Sequence, residues 1–83
     1  MPETRFHPHA LERLEERGAS REEVEETVLL GERFAAKQGR QGFRRNFAFN
    51  GIWRGRNFAS KQIEVIAVDE EGWLVLTVIV RYF

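Results

Sequence analysis

The sequence predicts an α+β fold in which two N-terminal helices pack on an antiparallel sheet of about four strands. Three observations predict it. Up to Gly31 the apolar residues recur at helical spacing, in two runs each closed by a glycine. After Gly31 the period changes to the alternation of strands, rich in Phe, Val and Ile and punctuated by Gly. Trp73 to Val80, broken only by Thr77, is apolar on both faces, as in a strand covered on both sides.

The elements follow in order. His9 to Arg17 contains good or tolerable helix formers, with Ala10, Leu11 and Leu14 sharing a face, and Gly18 stands where a C-terminal cap belongs. Ser20 opens a second helix with Glu23 three residues on, the pattern of a capping box. That helix is expected to turn Val24, Val28 and Leu29 inward, to display Glu22, Glu25 and Glu26, and to end at Gly31. Phe34 to Gln38 reads as a weak strand, followed by a turn through Gly39, Arg40, Gln41 and Gly42. Phe43 to Phe49 alternates, with Phe43, Arg45, Phe47 and Phe49 on one face and Arg44, Asn46 and Ala48 on the other. Asn50-Gly51 is a tight-turn signal, and Ile52 to Phe58 fits either a strand or a loop around Gly55. Ile63 to Val68 is a strand, Asp69 to Gly72 a hairpin loop, and Trp73 to Tyr82 a long strand expected near the middle of the sheet.

Composition bounds the function. A chain of 83 residues with 42% hydrophobic residues is one domain, 1–83, and too apolar for a disordered tail. The absence of cysteine excludes disulfides, Cys-based zinc sites and thiol catalysis. No signal-peptide h-region and no membrane-spanning apolar run is present, so a cytoplasmic protein with no membrane partner is expected. The glycines fit neither a P-loop nor a dinucleotide fingerprint, Ser20 reads as a cap and Ser60 as a turn residue, and no cofactor is expected. His7, His9 and Glu12 are too few ligands for a convincing metal site, and none is assigned.

The formal net charge of zero conceals a polar arrangement. Residues 1–32 hold nine acids and four bases, residues 33–61 eight bases and no acid, and residues 62–83 four acids and one base. In the basic stretch Arg33, Lys37, Arg40, Arg44, Arg45, Arg54, Arg56 and Lys61 are interleaved with Phe34, Phe43, Phe47, Phe49, Trp53 and Phe58. Cations that track phosphates beside aromatic faces that stack on bases suit single-stranded nucleic acid. Arg44, Arg45, Arg54, Arg56, Lys61 and, from the last strand, Arg81 are the candidate nucleic-acid-binding residues. The competing reading is that the aromatics build the core and the acidic helix neutralises the basic stretch within one molecule or across a dimer.

The candidate chemistry lies on the first helix. His9, Arg13 and Arg17 stand at i, i+4 and i+8 and form one row. An imidazole able to move a proton at neutral pH beside guanidinium groups suits phosphoryl chemistry without a metal. Glu12, Glu15 and Glu16 lie close enough to make structural ion pairs with the same arginines.

These residues resemble a bacterial family of domains of unknown function. Its signature is a His-Ala-x-x-Arg-x-x-x-Arg-Gly helix, a Glu-Glu-Val second helix and a closing Thr-Val strand, here His9-Ala10, Arg13, Arg17-Gly18, Glu22-Glu23-Val24 and Thr77-Val78 leading to Arg81-Tyr82-Phe83. Phe43, Trp53-Arg54-Gly55-Arg56 and Lys61-Gln62 look like the pattern of a subgroup, so the resemblance spans most of the chain. It implies a fold akin to the RelE and ParE toxins, small domains that cut RNA without metal, using basic and aromatic side chains on the sheet, or act through protein partners. His9, Arg13 and Arg17 match the signature, whereas RelE-type catalytic residues align on no clear motif in this chain. Three expectations stay open: a metal-independent endoribonuclease with His9 as general base, a non-catalytic module for RNA or for a protein partner such as an antitoxin, and a homodimer without catalytic activity.

Overall fold

The computed structural model describes residues 4–83. The elements are β1 (Thr4–Phe6), α1 (Pro8–Arg17), α2 (Arg21–Leu30), β2 (Glu32–Ala35), a 3-10 turn (Lys37–Gly39), β3 (Gln41–Trp53), β4 (Arg56–Asp69) and β5 (Trp73–Tyr82). They form an α+β structure, both helices packed on a mixed sheet of order β1-β5-β4-β3-β2. β1 runs parallel to β5; every other pair is antiparallel.

The helical third follows local chemistry. The His7 imidazole caps α1 by accepting the His9 N–H at Nδ1, 3.1 Å away, and Pro8 takes the first helical position, where no N–H is needed. Gly18 ends α1 in the left-handed region at φ 73°. A Cβ at Gly18 would sit 2.6 Å from both the Trp53 ring and the Tyr82 hydroxyl, so the same glycine also allows α1 to approach the sheet. The Ser20–Glu23 capping box forms in both directions, at 3.1 and 2.9 Å. Val24 and Val28 are buried as expected, but the third inward residue is Thr27, whose hydroxyl donates to the Glu23 carbonyl at 2.8 Å. Leu29, expected inside, is 63% exposed because it lies on the side of α2 turned away from the sheet.

The strand region departs from expectation in several places. There are five strands rather than about four, because the N-terminal triplet Thr4–Phe6 pairs with Trp73–Val75; three residues are too few to show a period. The middle position belongs to β4, not to β5. β5 lies between β4 and β1, and β1 covers only its first three residues. A bulge interrupts its alternation: Ala67 pairs with Val75 and Ile66 with Thr77, which leaves Leu76 as the extra residue. That insertion lets Val75 and Val78, an odd number of residues apart, both be buried against the helices.

Asn50-Gly51 does not turn the chain. It lies in a bulge of β3, where the register shifts between Ala48 and Gly51 and Asn50 adopts φ 47°. The hairpin turns at Arg54-Gly55, with φ 50° and 79°, between the paired Trp53 and Arg56, so the undecided Ile52 to Phe58 is strand, two-residue turn and strand. The early strand runs Glu32–Ala35 rather than Phe34 to Gln38, and Gln41 and Gly42, expected in a turn, already belong to β3. Ala10, Leu14, Val24, Val28, Phe43, Ile63, Val65, Ala67, Val75 and Val78 make the buried core between the helices and one face of the sheet. Phe43, fully buried, meets Trp73 edge to face at 5.2 Å.

Candidate functional site

Alternation along β4 sorts the basic region into two environments. Lys61, Ile63, Val65 and Ala67 are buried beneath the helices, and Gln62, Glu64 and Ile66 take the opposite, helix-free face. On that open face Arg44 of β3 lies directly across from Glu64 of β4. Its Nε and Nη2 both donate to Glu64 Oε1, at 3.2 and 3.1 Å, and its guanidinium lies 4.6 Å from the Phe34 ring centroid. Arg81 of β5 brings Nη1 to 4.0 Å from the same carboxylate oxygen and donates to Gln62 Oε1 at 3.2 Å. Gln62 Nε2 in turn donates to Asn46 Oδ1 at 3.0 Å.

Five side chains from three neighbouring strands therefore form one row, held by hydrogen bonds within Arg44–Glu64 and Asn46–Gln62–Arg81 and joined by the Arg81–Glu64 ion pair. Glu64, whose side chain is 12% exposed, is the single carboxylate shared by two guanidiniums, so the row keeps a net positive charge. Arg81 is 60% exposed and directs most of its donors to solvent. Beside the row a depression of about 460 Å³ is lined by Arg44, Asn46 and Gln62 on one side and by Leu30 and Glu32 on the other.

The other expected binding residues go elsewhere. Lys61 is buried: its Nζ donates to the Gly18 carbonyl at 3.0 Å and lies 2.8 Å from Glu23 Oε2, so it ties the α1–α2 junction to the sheet and offers nothing to a ligand on the surface. Register is the reason, since Lys61 has the same parity as the core residues of β4. Arg45 projects on the helix side and pairs with Glu26 at 3.4 Å. Arg54 and Arg56 are exposed at the β3–β4 turn, 5.3 Å from the Trp53 ring centroid and 5.5 Å from that of Phe58, and neither has a carboxylate within 4 Å among the described residues.

The α1 row exists, but its members are engaged separately. Arg13 Nη1 pairs with Glu16 at 3.0 Å, and its Nε donates to His9 Nε2 at 3.4 Å. Arg17 Nη1 donates to the Val78 carbonyl at 2.6 Å, capping a backbone group on the outer side of β5. The Tyr82 hydroxyl donates to the Arg17 carbonyl at 2.7 Å, which puts the end of α1 on the face of β5 opposite to that of Arg81. His9, Arg13 and Arg17 thus do not gather in one cleft with Arg81.

Tyr82 is a residue that sequence reasoning misses. It stacks on Trp53 at 4.8 Å and meets Phe49 at 5.0 Å and Phe58 at 5.8 Å. Burial raises its phenol above the usual range, the Glu23 carboxylate adds to the shift and Arg54 partly offsets it, so the hydroxyl stays protonated as a donor. Glu64, Gln62 and Asn46 are missed as well. The signal that could find them is parity with Arg44 in the alternation of β3 and β4, which becomes usable only once the strand register is known.

No helix among the described residues is long and apolar enough to cross a membrane. No curated protein and no solved structure matches the chain. A family model, described as a domain of unknown function (DUF4258), matches residues 6–80. That match takes in both helices, the whole of β2 to β4 and all but the end of β5, and on it the chain belongs to the DUF4258 family.

Proposed function

We propose that the helix-free face of the sheet binds single-stranded RNA through its phosphates. The observation that carries this reading is the shared carboxylate: Glu64 holds Arg44 and Arg81 side by side without neutralising both. Each guanidinium keeps N–H groups free for an oxyanion, and Asn46 and Gln62 extend the polar row between them. Lys37 and Arg40, exposed just before the start of β3, add positive charge at that end of the strand. The Phe34 ring beneath Arg44 supplies an aromatic surface of the kind on which bases stack.

The order of two helices followed by antiparallel strands supports kinship with the RelE and ParE toxin folds, some members of which cut RNA with basic side chains of the sheet while others act through protein partners. Binding is favoured over cleavage through His9, because its ring is held by Arg13 on α1 and not beside Arg44 and Arg81.

Filter binding of a labelled single-stranded oligoribonucleotide at two salt concentrations tests the reading. The Arg44→Gln, Arg81→Gln double variant should bind at least about tenfold more weakly, with a log-log salt slope smaller by about 0.7 for each phosphate that is no longer neutralised. Wild-type protein and His9→Ala should leave the RNA equally intact. Binding that the double variant retains in full would remove the open face as the RNA surface.

A further inference from the structure

The two edges of the sheet are finished differently. On the β5 side β1 covers Trp73–Val75, the His7 N–H donates to the Val75 carbonyl at 2.9 Å, and Arg17 caps the Val78 carbonyl. Parts of the chain itself thus cover that edge over Trp73–Val75 and cap it at Val78. On the β3 side β2 covers only Gln41–Arg44 of a strand that runs on to Trp53. From Arg45 onward the outward N–H and C=O groups of β3 have no hydrogen-bond partner among the described residues.

We propose that this edge pairs with the same edge of a second copy of the chain, antiparallel and about a two-fold axis at Phe49. Three further observations select a second copy as the occupant. Two of the exposed large apolar side chains lie at opposite ends of the open stretch: Leu30, 58% exposed, where α2 meets its start, and Ile52, 69% exposed, near its end. Antiparallel pairing about Phe49 sets Ile52 against Asn46 of the second copy, beside that copy's Leu30, and does the same in reverse.

The charges complement one another in the same register. Glu32 is exposed at the start of β2, across from Arg44, and is without an ion-pair partner among the described residues; Arg54 is likewise unpaired. The two-fold brings the Arg54-Gly55 turn of each copy to the Glu32 end of β2 of the other, and so Arg54 beside Glu32, at both ends of the interface.

The bulge between Ala48 and Gly51 is the third observation. A bulge bends an edge away from ordinary strand partners. Here the bulge, Phe49 and Asn50, lies at the axis, so the segment leading to Ala48 in each copy meets the segment around Ile52 in the other and the bulges come together at the centre. The result is a continuous ten-stranded sheet that leaves the Arg44–Glu64–Arg81 rows uncovered, so the pairing does not depend on the RNA reading.

Analytical ultracentrifugation over a concentration series, with circular dichroism melting to confirm folding, tests the interface. Wild type should show a concentration-dependent monomer–dimer equilibrium. Ile52→Glu should weaken it by at least about tenfold in Kd, as should Glu32→Arg or Arg54→Glu alone, while the double variant Glu32→Arg, Arg54→Glu should recover most of the wild-type affinity. A wild-type chain that stays monomeric at every concentration overturns the proposal. So does a dimer that all of these folded variants leave unchanged.

Discussion

Lys61 and Arg44 belong to the same acid-free stretch and sit on adjacent strands, each bonded to a glutamate, yet one is inside and the other outside. The Lys61 side chain is 7% exposed, Glu23 completes its pair beneath the helices, and the Gly18 carbonyl takes a further hydrogen bond. Arg44 shares Glu64 with Arg81 on a face that no helix covers. Charge counted along the chain treats the two cations alike. Position relative to the core separates them, because a buried cation must have its charge and donors fully answered whereas an exposed one can leave donors for a ligand.

The largest effect should come from the inner pair. Lys61→Met strips Glu23 of its cation and the Gly18 carbonyl of its donor, and should cost about 3 kcal/mol in urea denaturation. Glu23→Gln keeps a capping-box side chain but leaves the Lys61 charge unpaired, and should cost about 2 kcal/mol. A double variant much less destabilised than the sum of the two would mark them as one coupled unit. An inner pair that can be removed at no measurable cost would break the distinction drawn between the two faces.

Tyr82→Phe comes next, at about 1 kcal/mol, for the hydrogen bond to the Arg17 carbonyl. The sign of its pH dependence follows from the raised phenol. The unfolded chain deprotonates first, near the ordinary tyrosine value of about 10, so the contribution of Tyr82 is fully present below that pH and is lost as pH rises through the folded value. Wild-type stability should therefore fall more steeply than that of Tyr82→Phe on the alkaline side of about pH 10, as read from thermal melts.

The smallest effect belongs to the open face. Arg81→Gln removes a guanidinium that is 60% exposed, and should change stability by no more than about 0.5 kcal/mol while still weakening RNA binding. If this outer substitution cost as much as Lys61→Met, the row would be a structural brace and not a surface held ready for a ligand.

Legibility followed the range of the interactions. Both helices, the Gly18 cap and the Ser20–Glu23 box could be read from the sequence because each is settled within a few residues. The strands were legible as segments, but their ends and order were not. Asn50 shows why: a residue that tolerates positive φ serves a tight turn and a bulge equally well, and the choice fell to Arg54-Gly55 through the pairing of β3 with β4. Tyr82 likewise read as the end of a strand, and only its contact with the end of α1 shows it joining helix to sheet. The row on α1 was visible as a row, yet what Arg17 bonds depends on an edge carbonyl 61 residues away in the chain.

By itself the sequence determined an α+β chain with two capped helices, strands to follow, and a basic aromatic stretch between acidic flanks. These are matters of composition, period and local hydrogen bonding, present before any long-range contact forms. The tertiary structure alone decided which cations of that stretch are buried, which carboxylate serves two arginines, and which edge of the sheet is left open. The physical reason is that a strand's side chains alternate: one residue of register exchanges the inside for the outside, and register is set by partners far along the chain.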